Sequence, residues 1–183
     1  MSTHQSSGTV QRPTGRTYPL PTITTFHERT HEGMAYVVGD RSEALADDGA
    51  LDILVSVNSA AHIHARFAAT TGGDALVDLY ENPFTDANSL GTPLTARNRF
   101  RYKGDNADSN HHRDPFTDAN SLGTNIAPGI IAGGSKPFTA GGDVGDGFTE
   151  FMLSKGNRYL FRLTNKSGSA QVAGAEINFY ERP

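Results

Sequence analysis

Two histidines and an arginine alternate with apolar residues in the stretch HIHARF at residues 62–67. Successive side chains of a β-strand point to opposite faces, so the alternation places His62, His64 and Arg66 on one face. Two imidazoles at positions i and i+2 of one strand can chelate a single metal ion. This stretch is therefore the first place in the chain to look for metal chemistry.

The other ligands that such a site requires are missing from the sequence. Jelly-roll enzymes of the cupin family add a Glu a few residues after the His-x-His pair and a third His from a distant strand. Here the Glu position falls on Ala68 and Ala69, while His111 and His112 lie in a charged segment. The Gly-rich stretch at 141–147 lacks the closing Glu of a calcium loop. We predict no catalytic residue, no metal and no cofactor, and interpret the histidines as polar residues on a solvent- or subunit-facing side.

A second chemically distinctive stretch, RNRFRYK at residues 97–103, alternates cations with aromatic residues. If it is one strand, a single face carries Arg97, Arg99, Arg101 and Lys103. Four like charges in a row need water or an acidic partner. The face is therefore a solvated face, an edge strand whose charges prevent aggregation, or a docking stripe for an acidic surface. Interleaved rings are also typical of nucleic-acid binding. Since the rings face away from the cations, we predict no nucleic-acid partner.

The decapeptide PFTDANSLGT occurs twice, at residues 83–92 and 115–124. Two copies are too few for a stacked repeat architecture. Its Pro, Asp, Asn, Ser and Gly residues favour turns, and each copy has one Phe and one Leu as apolar anchors. We interpret each copy as a compact anchored turn, with Ca²⁺ binding as the alternative, and the pair as a tandem duplication that a surface loop tolerates.

Composition narrows the class of protein. The 183 residues allow one domain plus an arm or two small domains, and 29 of them are Gly or Pro, which suits short strands joined by turns. The net charge of −4 argues against general nucleic-acid affinity. There is no Cys, no apolar run long enough to span a membrane, and no apolar stretch at the start that would indicate a secretory signal.

Residues 34–183 read as a body of about eight strands, which predicts an all-β, antiparallel, jelly-roll-like sandwich. The stretch DRSEALADDG is predicted as a helical turn or a loop, and LTARNRFRYK as one strand. Apolar residues near the end of the chain are assigned to the core: Phe151, Leu153, Leu160, Phe161, Leu163, Ile177 and Phe179.

Residues 1–33 are predicted to form an extended N-terminal arm. Pro13, Pro19 and Pro21 disfavour helix, and the arm holds three arginines against two glutamates, whereas the body is acidic. Such a segment orders only on a partner or remains a loose terminus. Its spaced apolar and aromatic side chains are candidate contacts with a partner: Tyr18, Leu20, Ile23 and Phe26.

The body resembles phage virion structural proteins of the capsid cement, or decoration, family. The resemblance covers residues 31–183 and is carried by GMAYVVG at 33–39, LADDGALDILV, HIHARF, TARNRFR, and the ending YLFRLTN and INFYE. It implies a jelly-roll-like body on the outer capsid surface that binds the major capsid protein and stabilises contacts between its neighbouring subunits. It carries over no catalytic residue, and the doubled decapeptide departs from the family's pattern.

The resemblance also implies a small homo-oligomer, a dimer or a trimer, because a cement protein joins equivalent seams on or near symmetry axes. Two functions from other classes remain open. A receptor- or glycan-binding fibre or spike module would have a similar sandwich, although the absence of Trp disfavours sugar stacking. A cupin-like metal enzyme lacks the ligands described above.

Overall fold

The computed structural model describes most of the body and short parts of the N-terminal segment. The described residues are 9–11, 17–19, 25–58, 62–83, 90–102, 106–115, 122–131 and 150–182. Their first elements are β1 (Thr9–Gln11), β2 (Thr17–Pro19), α1 (Thr25–Glu32), β3 (Ala35–Leu45), β4 (Ala50–Ser56), β5 (His62–Thr71) and β6 (Ala75–Glu81). They continue with β7 (Thr92–Leu94), β8 (Arg97–Asn98), β9 (Asn110–Arg113), β10 (Thr124–Ile131), β11 (Phe151–Leu153), β12 (Arg158–Asn165) and β13 (Gln171–Arg182).

Two antiparallel sheets form the body and share one apolar core. The six-stranded sheet has the order β10-β6-β12-β4-β9-β7, and the five-stranded sheet has the order β11-β5-β13-β3-β8. Buried side chains from both sheets belong to a single cluster. The prediction of an all-β antiparallel sandwich is confirmed.

Eight of these strands form four nested antiparallel pairs. The innermost pair is β6 with β10, followed by β5 with β11, β4 with β12 and β3 with β13. Consecutive strands within each half of this long hairpin alternate between the two sheets. The remaining body strands, β7, β8 and β9, lie between β6 and β10 in the chain and occupy the opposite edge of the sandwich.

The core follows from strict alternation along the strands. In β5, Ile63, Ala65 and Phe67 are buried and face the other sheet. The predicted core residues are buried, except that Phe151 is half-buried. Leu160 is also fully buried, but it pairs with Leu54 on the face of the six-stranded sheet that points away from the core.

The N-terminal segment differs from the prediction of an extended arm. Strands β1 and β2 pair with each other, and α1 is a helix that contacts β3 and β13. Residues 25–32 contain no proline, and the helix ends at Gly33, whose φ of 77° suits glycine. Gly33 N–H donates to Thr30 O and Met34 N–H to Arg29 O, which is the hydrogen-bond pattern of a Schellman C-cap.

Two further predictions of local structure are corrected. In DRSEALADDG, residues 40–45 continue β3 to Leu45, and only residues 46–49 form a loop. The stretch LTARNRFRYK is not one strand: β7 and β8 are short, and the chain bends from residue 99. Asn98 causes this bend, since its Oδ1 accepts a hydrogen bond from Phe100 N–H at 2.8 Å, as in an Asx-turn.

Candidate functional site

The HIHARF stretch lies in β5 and has the predicted alternation. His62 and Arg66 are exposed and His64 is half-buried on the outer face of the five-stranded sheet. The His64 ring stacks on Tyr180 of the neighbouring strand, with centroids 4.6 Å apart and planes 8° from parallel. Met152 lies on the other side of His64 in register and is 64% exposed.

A glutamate that the sequence did not point to completes this cluster. His64 Nδ1 lies 2.9 Å from Glu150 Oε1, and Tyr180 O–H donates to the same oxygen at 2.9 Å. Arg66 Nε lies 3.5 Å from Glu150 Oε2. Glu150 precedes β11, and only the pairing of β11 with β5 brings it to His64, so no local pattern could have identified it.

These four side chains form a hydrogen-bond network on the surface of the sheet, centred on Glu150. Each oxygen of Glu150 already faces a donor or a cation, and Arg66 would repel a metal ion there. Within the described ranges, no group of three or more His, Cys, Asp or Glu side chains is placed to hold a metal ion. The absence of a catalytic metal therefore stays a prediction, with its own test below.

Beside the cluster, small residues create a shallow groove across the outer face of the five-stranded sheet. Gly39, Ala68 and Gly174 lie on three adjacent strands and line an open depression of about 680 Å³. Arg41 and Glu176 also line it. A side chain at Gly39 would meet the backbone oxygen of Ala175 at 2.9 Å, so the floor of the groove is backbone. The groove can accept another protein surface at close range, but small residues alone do not define a ligand.

The arginines of RNRFRYK form a turn and not a strand face. Arg97, Arg99 and Arg101 are exposed, and Arg99 donates to Asn178 Oδ1 at 2.6 Å. Tyr102 is 95% exposed at the end of the turn. We call residues 97–102 the basic turn. Lys103 lies outside the described residues.

The basic turn lies next to the end of helix α1. Asn98 Nδ2 donates to Gly33 O at 2.8 Å, and the rings of His31 and Phe100 are 6.5 Å apart. The sequence placed its two sets of candidate contacts in separate parts of the chain. The structure brings the attachment point of the N-terminal segment and the basic turn to one corner.

The candidate contacts within the N-terminal segment stay predictions. Tyr18 belongs to β2 and Phe26 to α1, and the described part of the structure does not include their side chains. Leu20 and Ile23 lie outside the described residues, as does the Gly-rich stretch at 141–147.

The outer face of the six-stranded sheet carries an ion-pair network. Arg162 on β12 donates to both carboxylate oxygens of Asp52 on β4, at 2.8 and 2.7 Å. This hydrogen bonding raises the pKa of Arg162. Burial, followed by the charge of Asp78, raises the pKa of Tyr80 on β6. These groups link three adjacent strands, so their evident role is cross-strand stabilisation.

One histidine that the sequence placed in a charged segment is buried. His111 on β9 is 3% exposed, and its ring lies 4.9 Å from that of Phe179. Burial, followed by the nearby charge of His112, lowers the pKa of His111 to about 4. Its Nε2 has no hydrogen-bond partner among the described residues. His111 is therefore a neutral core residue at pH 7, and its alternation with half-buried His112 is explained by the strand.

Comparisons with known proteins provide no relative on which to base a function. No protein-family model, curated protein or solved structure matches the chain. The described part contains no helix with the length and apolar content of a membrane span. The function is therefore argued from the geometry above and from the resemblance of the sequence pattern.

Proposed function

We propose that this protein is a phage capsid cement protein. It would bind the outer surface of the shell and stabilise contacts between neighbouring subunits of the major capsid protein. The observation that carries the proposal is the nesting of β3–β6 with β10–β13 across two sheets. We infer from this order a jelly-roll-like body, which is the body that the sequence resemblance implies for cement proteins.

The corner between helix α1 and the basic turn is the proposed capsid-binding surface. Residues 92–102 contain three arginines and no acidic residue, on a chain of net charge −4. An acidic patch on a capsid subunit would complement this turn, and the N-terminal segment that begins beside it would add contact area. Several weak contacts on one rigid body strengthen one another through effective concentration.

We propose the groove on the outer face of the five-stranded sheet as the contact surface of a small oligomer. The groove at Gly39, Ala68 and Gly174 is framed by Arg41 and Glu176, so it offers both charge signs to an identical copy. A dimer or trimer at a symmetry axis would use the same patch on every copy. A map of the intact particle that showed isolated copies without mutual contact would rule out this part of the proposal.

Co-sedimentation with empty capsid shells tests the function. The double variant Arg97→Glu with Arg101→Glu is expected to weaken shell binding at least tenfold, about 1.4 kcal/mol. The matched control is Lys155→Glu with Lys166→Glu, which reverses two exposed cations elsewhere. Binding of the wild type should also fall with added salt, because exposed charges are screened.

Three results would contradict this assignment. Wild-type protein that does not sediment with shells would exclude the cement function. A control variant that loses as much affinity as the test variant would exclude the corner as the specific surface. A glycan-array signal without shell binding would favour a receptor-binding module instead.

A further inference from the structure

The residue that ends each decapeptide copy pairs with a residue that precedes the other copy. Copy 1 follows β6 and leads into β7, and copy 2 follows β9 and leads into β10. However, Thr92 at the end of copy 1 pairs with Arg113, which precedes copy 2. Likewise, Thr124 at the end of copy 2 pairs with Glu81, which precedes copy 1. Each copy therefore ends beside the start of the other.

The backbone at the two junctions has the same conformation. Asn82 and Asp114, which precede the copies, have φ of 53° and 49°, and Gly91 and Gly123 have φ of 92° and 86°. A side chain at Gly123 would lie 2.2 Å from Glu81 O, and one at Gly91 would lie 2.1 Å from Arg113 O. Only glycine fits such a close approach, so the glycine of each copy packs against the backbone that precedes the other copy.

If residues 92–123 were removed, the two ends of the remaining loop, at Glu81 and Thr124, would already be paired. One decapeptide would connect Asn82 directly to Thr124, whose partner Glu81 is already in register. The product would be β6 and β10 joined as the innermost hairpin of the four nested pairs. Closing a loop of about ten residues has a modest entropic cost. The eight nested strands do not depend on residues 92–123 for their connection.

Removing the segment would expose two sheet edges: that of β4, which β9 covers, and that of β3 at Tyr36 and Val37, which β8 covers. Strand β9 pairs with Ile53–Ser56 of β4, and β7 lies outside β9. Ile53, Leu54 and Val55 are all buried. Without β9, β4 would present an apolar edge strand, which is a template for pairing with another strand.

The existing edges of the described sheets are protected in other ways. Strand β10 contains Pro128, β7 contains Pro93, and β8 and β11 have only two and three residues. Short edge strands and prolines are devices that block strand addition. Within β4, the stretch from Ile53 to Ser56 contains neither a proline nor a charge.

We propose that residues 92–123 are an insertion into a complete eight-strand body, and that they cover a β4 edge through which the body without them would bind a second copy of itself. Two β4 edges can pair antiparallel across a two-fold axis, which joins the two remaining four-stranded layers, β10-β6-β12-β4, through one self-complementary contact. The insertion also contains the basic turn. The body would therefore fold without the corner that is assigned above to capsid binding. It does not depend on that assignment.

Several hydrogen bonds fasten the insertion to the body. Glu181 accepts from Ser109 N–H at 2.9 Å, Ser109 O–H at 2.7 Å and Asp108 N–H at 2.7 Å. Deletion would leave Glu181 to water at the uncovered end of β13. The deletion variant will be less stable than the full chain, and the test includes a measurement on the intact protein.

The deletion of residues 92–123 is the direct test. We expect a folded β-protein by circular dichroism that sediments with twice as many chains per particle as the full chain does at the same concentration. Ser56→Lys, placed at the uncovered edge of the deletion variant, should return it to half that number of chains. A deletion of equal length, residues 99–130, removes all of β10 except Ile131 and is the control that should not fold.

Native-state hydrogen exchange on the full chain provides the second measurement. Amides of β7, β8 and β9 should lose protection together, at a lower denaturant concentration than amides of β4, β6 and β12. A deletion variant that folds but has the same number of chains per particle as the full chain would overturn the proposed edge. A variant that does not fold, together with β9 amides that exchange only with those of β12, would overturn the insertion.

Discussion

At the residue scale, the buried histidine His111 sets a pH dependence of stability. Its pKa is lowered to about 4, mainly by burial, from an ordinary value of 6.5. Between pH 4 and pH 6.5, His111 therefore binds more protons in the unfolded chain than in the folded chain. This contribution to stability is complete above about pH 6.5 and is lost as the pH falls toward 4.

We expect the free energy of unfolding to fall by about 2 to 3 kcal/mol between pH 7.5 and pH 4.5 because of His111 alone. Urea titrations at the two pH values measure this change. His111→Leu should remove most of it, whereas His62→Gln, at an exposed position of β5, should keep it. An unchanged pH dependence in His111→Leu would show that other groups are responsible.

Also at the residue scale, we expect the His64 cluster to bind no catalytic metal, because Glu150 is engaged by His64, Tyr180 and Arg66. Metal analysis of the purified protein should find less than stoichiometric Zn, Fe or Mn. Replacing His62 and His64 with Gln should leave shell binding within about tenfold, or 1.4 kcal/mol. Stoichiometric metal that disappears in the double variant would contradict the prediction.

At the element scale, Asn98 joins three parts of the chain. Its side chain donates to Gly33 O at the end of α1 and accepts from Phe100 N–H at the start of the bend, both at 2.8 Å. Asn98 is 6% exposed, so its removal would leave buried polar groups without partners.

We expect Asn98→Ala to lower the free energy of unfolding by about 2 to 3 kcal/mol. The matched control is Asn58→Ala, since exposed Asn58 makes one hydrogen bond, to Asp108 O at 3.2 Å, and should lose less than about 1 kcal/mol. Equal losses for the two variants, measured by urea unfolding, would indicate that the position of Asn98 has no special importance.

At the scale of the whole molecule, the N-terminal segment and the body are expected to have separable roles. Deleting residues 1–24 stops before helix α1, which contacts β3 and β13, and should leave the thermal unfolding of the body unchanged within a few degrees. If the segment binds a neighbouring subunit, the same deletion should weaken co-sedimentation with shells. A truncated protein that binds as tightly as the full chain would refute that role for the segment.

The sequence by itself determined the features that depend on local periodicity. Alternation in HIHARF predicted which side chains face the core, because a strand has a period of two residues. In RYLFRLTN, Leu160 was assigned to the core with its apolar neighbours, but it lies on the outer face of its sheet. The two-residue period also predicted one continuous strand through RNRFRYK, which is wrong. There the Asn98 side chain accepts a hydrogen bond from Phe100 N–H, and this local bond ends the strand. The prolines up to Pro21 predicted extended backbone through residue 33, but α1 begins only after them, at Thr25. Its C-cap is formed by Gly33.

Only the tertiary structure decided which distant residues meet. Glu150 joins His64 through the pairing of β11 with β5, and His111 is buried because β9 pairs with β4. The sequence showed that the decapeptide is repeated but could not show that Thr92 pairs with Arg113 and Thr124 with Glu81. Strand pairing over long separations depends on the free energy of the whole core, and no window of local sequence contains that information.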